Sequence, residues 1–168
     1  MIAQEKAGII KPEVPLVVSN QKEKALKVLS DVASMNNVKL INTQSEISIK
    51  LITEDIKGQH IEYLMDKNTF SCFLPLVGQH QSENLATAVV SVKALGISPA
   101  KGLKRGLNFL KLPGRIQLLK TKSCLLLLDV AHNPISMQRL SSTFKSSFHN
   151  YCPRIIFGMT TGHDIDSV

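Results

Sequence analysis

The apolar residues of this chain change their period several times along its length. Residues 14–20, "VPLVVSN", form a short apolar run bounded by Pro15 and Asn20 and predict a buried strand. In residues 21–37, Leu26, Leu29 and Ala33 repeat at helical spacing, as do Ala25, Val28, Val32 and Met35. Charges take the other face, and Asn36-Asn37 is a fitting stop. Residues 38–42 return to a strand pattern, so strand, helix and strand in short compass predict a parallel βαβ unit. Residues 45–55 and 59–76 instead alternate apolar with polar side chains. Gly58 and the Asp66-Lys67-Asn68 cluster punctuate them, which predicts antiparallel hairpin strands.

From His80 the pattern is helical again, with Leu85, Ala88, Val89, Val92 and Leu95 as the expected stripe. A second helix is predicted over 97–111, with Ser98 as N-cap and Pro99 at the first helical position. It ends at Leu112-Pro113-Gly114-Arg115, a Pro-Gly turn and an expected domain boundary. Residues 116–130 hold two strands around a turn at Lys120–Ser123. The second, Cys124–Asp129, is apolar on both faces, as a central parallel strand is. Asn133 then caps a helix that starts at Pro134 and carries Met137, Leu140, Phe144 and Phe148 on one face. Pro153 leads a last expected strand over 154–159, followed by a turn at 160–163.

With 168 residues, 43% of them hydrophobic, the chain can build one ordinary domain or two small pieces. No apolar run has the length of a membrane span, and the start lacks the pattern of a signal peptide. A soluble cytoplasmic protein with no membrane partner is expected. Cys72, Cys124 and Cys152 are odd in number and include no C-x-x-C pair, which favours buried, reduced thiols. The net charge is +7, but the basic residues are scattered and no aromatics are interleaved with them. That argues against nucleic acid as a partner and suits small anionic substrates such as nucleotides.

Four short segments carry candidate chemistry. In "LLLLDVAHNP" a strand ends in Asp129 and leads through a short loop to a helix N-terminus, where open α/β sheets place ligands. Asp129 can accept from hydroxyls such as those of a ribose, and His132 can donate to phosphate or carboxylate. Equally, Asp129 is a turn former, His132 a surface loop residue and Asn133-Pro134 a plain cap. Arg115, after its Pro-Gly turn, can clamp phosphate oxygens or simply stand in water. In "VGQHQSENLATAV", Gly78 permits close backbone approach, and Asn84 can read an adenine edge or serve as an ordinary helix residue. In "IAQEKAGIIKP", Lys6 beside Glu5 suggests a crowded loop. A carbamylated lysine there would offer an anionic oxygen to a hard cation such as Mg²⁺, and a Glu–Lys surface pair is the commoner alternative. No G-x-x-x-x-G-K-[ST], G-x-G-x-x-G, H-E-x-x-H or G-x-S-x-G is present.

Taken together and in order, "IAQEKAGIIKPEVP", "LPLVGQHQSENLATAV", "LPGR" and "LLLDVAHNP" resemble the folylpolyglutamate synthase/dihydrofolate synthase family of the Mur ligase superfamily. The resemblance covers nearly all of the chain. It implies an α/β fold: residues 1–112 as the C-terminal part of a Mur-ligase-type central ATPase domain, and 113–168 as the first half of a Rossmann-like C-terminal, glutamate-ligase domain. It implies an ATP-dependent amide ligase that phosphorylates folate or dihydropteroate and couples the acyl phosphate to L-glutamate, with ATP and Mg²⁺ as cofactors. It assigns Lys6 as the catalytic, carbamylated lysine that supports a metal ion. It assigns Asn84, Arg115, Asp129 and His132 to ATP, with His132 also bordering the glutamate site.

The departures are as informative. The family's phosphate-binding Gly-rich loop and its Glu and His metal ligands precede the EKAGI segment, so a P-loop-containing segment of the same enzyme is expected as a partner. Val130 replaces the usual glycine of D-G-A-H-N-P, and Gly162-His163-Asp164 stands where D-K-D is usual. The chain is therefore expected to be an interior piece of a longer ligase, inactive alone and prone to aggregate. A piece of a peptidoglycan-type Mur ligase and a non-catalytic nucleotide-binding remnant are the alternatives.

Overall fold

A computed structural model describes residues 2–160. Two compact units divide them. Among the described residues, the first comprises 2–50, 62–71 and 82–103; the second comprises 51–61, 72–81 and 104–160. The chain is mixed α/β throughout.

The first unit opens with helix α1 (Ile2–Ala7), strand β1 (Leu16–Val18), helix α2 (Glu23–Met35) and strand β2 (Leu40–Asn42). β1 and β2 pair in parallel, with Leu16 opposite Leu40 and Val18 opposite Asn42, as the βαβ pattern predicts. The stop of α2 follows from its two asparagines. Asn37 takes a left-handed φ of 54°, its N–H reaches Ser34 C=O at 3.1 Å, and Val38 N–H reaches Ala33 C=O at 2.8 Å. This is the Schellman arrangement, and its apolar clasp, Val38 against Ala33, lies inside the core. Leu16 and Val18 complete that core, with Ile10, Leu26, Leu29 and Leu40 packed against it.

After the single-turn α3 (Thr43–Glu46) come β3 (Ser48–Asp55), β4 (Gly58–Met65) and β5 (Asn68–Leu74), in sheet order β3-β4-β5. Two-residue turns join them, so neighbours run antiparallel. Asp66 and Lys67 both have positive φ, 50° and 65°, the type I′ geometry whose twist matches that of its strands. Gly58 is needed for space, because a Cβ there would lie 2.2 Å from the Leu74 carbonyl oxygen.

Helix α4 (Gln79–Ala94) follows, then α5 (Pro99–Asn108), which begins on the expected proline. The buried stripe of α4 differs from the expected one. Gln81, Ser82, Ala86, Val89 and Val90 face inward, whereas Ala88 and Leu95 are exposed. Two polar residues hold inward positions at the start of the helix, and a hydrophobic pattern cannot register them.

In the second unit, β6 (Gln117–Lys120) and β7 (Leu125–Leu128) pair antiparallel, and α6 (Pro134–Ser147) follows. Val77, Ile116 and Phe148 form its core, with Ile56, Leu118, Leu127, Leu140 and Phe144 against them. Three sequence-based expectations fail here. β7 is not a central parallel strand: its pairing among the described residues is antiparallel, with β6, and Leu125, Leu126 and Leu128 remain roughly 40% exposed. Residues 154–159 form no strand, because no described segment supplies a ladder to them. Cys124 and Cys152 are exposed rather than buried, while Cys72 is half-buried and burial raises its thiol pKa. The Gly162-His163-Asp164 segment lies outside the described residues. No helix among those described is long and apolar enough to cross a membrane.

Candidate functional site: the stitched loops around Asp129

The densest polar arrangement in the second unit joins the turn before β6 to the loop after β7. Pro113 and Gly114 occupy the centre of a turn closed by Arg115 N–H donating to Leu112 C=O at 3.3 Å. Gly114 has φ +70°, as the third residue of a type II turn requires. Arg115 follows on the exposed side. Ile116 then turns its side chain into the core while its own φ is +48°. A β-branched residue in the left-handed region costs on the order of 1–3 kcal/mol and persists only where surrounding structure enforces it.

Asp129 supplies that enforcement. Its Oδ2 accepts the Ile116 N–H at 2.9 Å and its Oδ1 accepts the Ala131 N–H at 2.8 Å. Val130 N–H donates to the Gly114 carbonyl at 3.0 Å. A Cβ on Gly114 would lie 2.8 Å from Val130 Cγ1. The bulky residue in the D-V-A-H-N-P loop is thus accommodated by the glycine of the Pro-Gly turn.

The loop continues into α6 through a capping box. Asn133 Oδ1 accepts Ser136 N–H at 2.9 Å, and Ser136 Oγ accepts the N–H groups of Asn133 at 3.0 Å and His132 at 3.1 Å. Asn133 and Pro134 stand where the sequence predicts them. Ser136 is legible in the sequence only as a weak form of the usual Glu or Gln return partner. His132 Nδ1 lies 2.9 Å from the Val130 carbonyl. A carbonyl only accepts, so Nδ1 carries the proton. Arg115, Asp129 and His132 therefore belong to one bonded loop pair. Each Asp129 oxygen keeps a lone pair beyond its backbone bond.

The second unit holds another constrained loop. Gly78, at φ +102°, donates its N–H to Glu54 Oε2 at 2.9 Å, and a Cβ on it would lie 2.7 Å from His80 and 2.8 Å from Thr143. Glu54 Oε1 also accepts from Ser147 Oγ. Gln59 is fully buried, and its amide donates to the Leu76 and Gly78 carbonyls, both at 2.9 Å. Its Oε1 has no partner among the described residues. Glu54 and Gln59 escape sequence reading because each looks like an ordinary polar position of an alternating strand.

The first unit carries the other two expected residues. Asn84 is exposed on α4. Lys6 sits in the last turn of α1, not in a crowded loop, with 70% of its side chain exposed and Glu5 Oε1 3.7 Å away. A hard divalent cation asks for about six oxygen ligands. Among the described residues no group of three or more His, Cys, Asp or Glu could hold a metal. Lys6 and Glu5 do not make a cation site by themselves.

No protein-family model matches the chain. Curated relatives do. It is 27% identical over 160 residues to the dihydrofolate synthase/folylpolyglutamate synthase of Mycobacterium tuberculosis, a match covering 88% of this chain and 33% of that protein. It is 32% identical over 99 residues to the UDP-N-acetylmuramoyl-tripeptide–D-alanyl-D-alanine ligase of Bacillus subtilis, covering 57% of this chain and 21% of that one. Among solved structures, folylpolyglutamate synthase from Thermotoga maritima superposes with a TM-score of 0.76 at 34% identity, over 89% of this chain and 36% of that one. A complex of folylpolyglutamate synthase with AMPPCP and folate gives 0.75 at 27% identity, over 86% and 36%. The chain thus spans about a third of the length of these folylpolyglutamate synthases. By sequence and by fold, it is homologous to the folylpolyglutamate and dihydrofolate synthases.

Proposed function

We propose that the chain forms part of an ATP-dependent amide ligase that joins L-glutamate to folate or dihydropteroate. The observation that carries this reading is the match of 89% of the chain to a folylpolyglutamate synthase at 34% identity and a TM-score of 0.76. In the reaction, the γ-phosphoryl group of ATP passes to a substrate carboxylate, giving an acyl phosphate and ADP. The glutamate amine attacks the acyl carbon, a C–N bond forms, and phosphate leaves. Residues 1–112 are read as the C-terminal part of the central ATPase domain, and 113–168 as the first half of the glutamate-ligase domain.

The roles follow the chemistry of each side chain. Arg115 offers a planar pair of donors to phosphate oxygens. His132, with Nδ1–H held by a backbone carbonyl, would donate from Nε2–H, as the imidazolium, to phosphate or to a glutamate carboxylate. Asn84 can pair with an adenine edge. Asp129 is assigned to the same ATP site, where its carboxylate bonds the loop that carries Arg115. Lys6, as a carbamate, is assigned to the metal that accompanies ATP; Mg²⁺ would offset the charge of the phosphates, with its remaining ligands supplied from outside this sequence. The phosphate-binding Gly-rich loop is assigned to a segment outside this sequence, and a cytoplasmic location accords with the substrates.

Titration of ADP into the chain, mixed with a polypeptide carrying the remaining length of a relative, tests the reading. Saturable binding that Arg115→Ala weakens tenfold or more is expected. Binding indifferent to Arg115, or none, would overturn it. The similarity to the B. subtilis UDP-N-acetylmuramoyl-tripeptide–D-alanyl-D-alanine ligase favours a second reading, a ligase acting on cell-wall precursors.

A further inference from the structure

We propose that Asp129 is a positioning residue. Its carboxylate locks the Leu112–Ile116 turn to the Asp129–Asn133 loop, so that it acts on ligands through Arg115. The nucleotide reading above gives Arg115 its ligand; the lock itself does not depend on that reading.

Three observations carry it. First, both carboxylate oxygens accept a backbone N–H, and the two donors come from the two different loops, Ile116 at 2.9 Å and Ala131 at 2.8 Å. A residue selected only to meet a ligand has no need to bridge two segments thirteen residues apart. Second, the Ile116 N–H is the one that most needs an acceptor. It belongs to a buried isoleucine at φ +48°, directly after Arg115. Without Asp129 that N–H would lose its charged acceptor, and the chain would relax toward ordinary φ. Such a relaxation would rotate the peptide next to Arg115 and displace its guanidinium. Third, the lock is doubled on the neighbouring residue, where Val130 N–H reaches Gly114 C=O at 3.0 Å and Val130 Cγ1 packs over the bare Gly114 Cα. Carboxylate, backbone and side chain fix the same loop pair.

Residue-resolved amide hydrogen exchange on the whole chain tests the lock with no ligand present. In Asp129→Asn, the Ile116 and Ala131 amides should exchange roughly tenfold to a hundredfold faster, since hydrogen bonds to a charged acceptor are weakened or lost. The Leu119 and Leu126 amides, a hydrogen-bonded pair of the β6–β7 ladder, should keep their rates, which shows that the fold survives. Unchanged exchange at Ile116 would overturn the proposal, as would equal acceleration across β6–β7. A second arm uses ADP affinity in the complemented mixture. If Asp129 acts through Arg115, Asp129→Asn should weaken binding at least fivefold in the parent and less than twofold in Arg115→Ala. Additive losses would make Asp129 a ligand contact and overturn the positioning role. If the parent binds no ADP, the nucleotide reading fails, while the exchange arm still decides the lock.

Discussion

Placing a methyl group on Gly114 would attack the loop pair from the turn side. Gly114 holds φ +70°, and a left-handed alanine costs about 1–2 kcal/mol more than glycine. The new Cβ would also stand 2.8 Å from Val130 Cγ1. That atom is the end of a short side chain, so the clash can be relieved by pushing Val130 off its rotamer, at about 0.5–1.5 kcal/mol. Gly114→Ala should therefore destabilise by about 2–3 kcal/mol, a fall in midpoint of roughly 4–10 °C for a chain of this size. Thermal unfolding followed by circular dichroism measures it. Val130→Ala removes the steric part but leaves the φ penalty. The double variant should recover about 1 kcal/mol of the loss and no more. A Gly114→Ala change below about 0.5 kcal/mol would refute the left-handed turn. Full recovery in the double variant would refute the split between backbone and contact.

Lys93 bonds Asp66 at 2.7 Å and Glu46 at 3.1 Å, and these hydrogen bonds, Asp66 first, raise its pKa. The ammonium is favoured in the folded state, so its contribution is complete below the ordinary lysine pKa of about 10.4 and fades as pH climbs through the higher folded value. Lys93→Met should cost at most about 1 kcal/mol at about pH 8, since the site is partly exposed, and the difference from the parent should shrink as pH climbs past the ordinary lysine value of about 10.4; denaturant titrations on either side of it check this. Phe148 is 2% exposed at the centre of the second unit's core, so Phe148→Ala should cost about 3–5 kcal/mol in the same assay. A thiol reagent at about pH 8 should label Cys124 and Cys152 before Cys72, whose burial both shields it and raises its pKa; mass spectrometry of the labelled peptides reads the order. Ile155 and Ile156 are 79% and 94% exposed, and the leucines of β7 are half-exposed, so the chain alone should self-associate, and Ile156→Lys should reduce the associated fraction in sedimentation.

Local rules make much of the fold legible. The βαβ unit follows from periodicity and from an Asn-Asn stop, whose left-handed residue and apolar clasp both appear. The hairpins follow from alternation and from a turn cluster at Asp66–Asn68. Asn133-Pro134 predicts its helix start to the residue. The expectations that fail depend on partners. Whether an apolar run such as Cys124–Asp129 becomes a central strand is decided by which strands flank it, and residues 154–159 need the same information. The buried face of α4 departs from the apolar stripe because Gln81 and Ser82 are buried polar residues. Within the candidate site, the sequence points to Arg115, Asp129 and His132 singly. It does not reveal that Asp129 accepts backbone N–H groups from both loops, because a backbone donor leaves no mark in the identity of its residue. Ile116 gives no sign of its left-handed φ, since a β-branched side chain argues against it.

Turnover decides whether this chain contributes to a glutamate-adding ligase. The chain is mixed with a polypeptide carrying the remaining length of a folylpolyglutamate synthase relative, and ADP release is followed with folate, dihydropteroate or a muramoyl-peptide precursor as acceptor. The expected result is release that needs both L-glutamate and a folate-type acceptor, and that falls at least tenfold in Arg115→Ala. Release supported only by the cell-wall precursor, or none above that of the complementing polypeptide alone, would contradict the assignment.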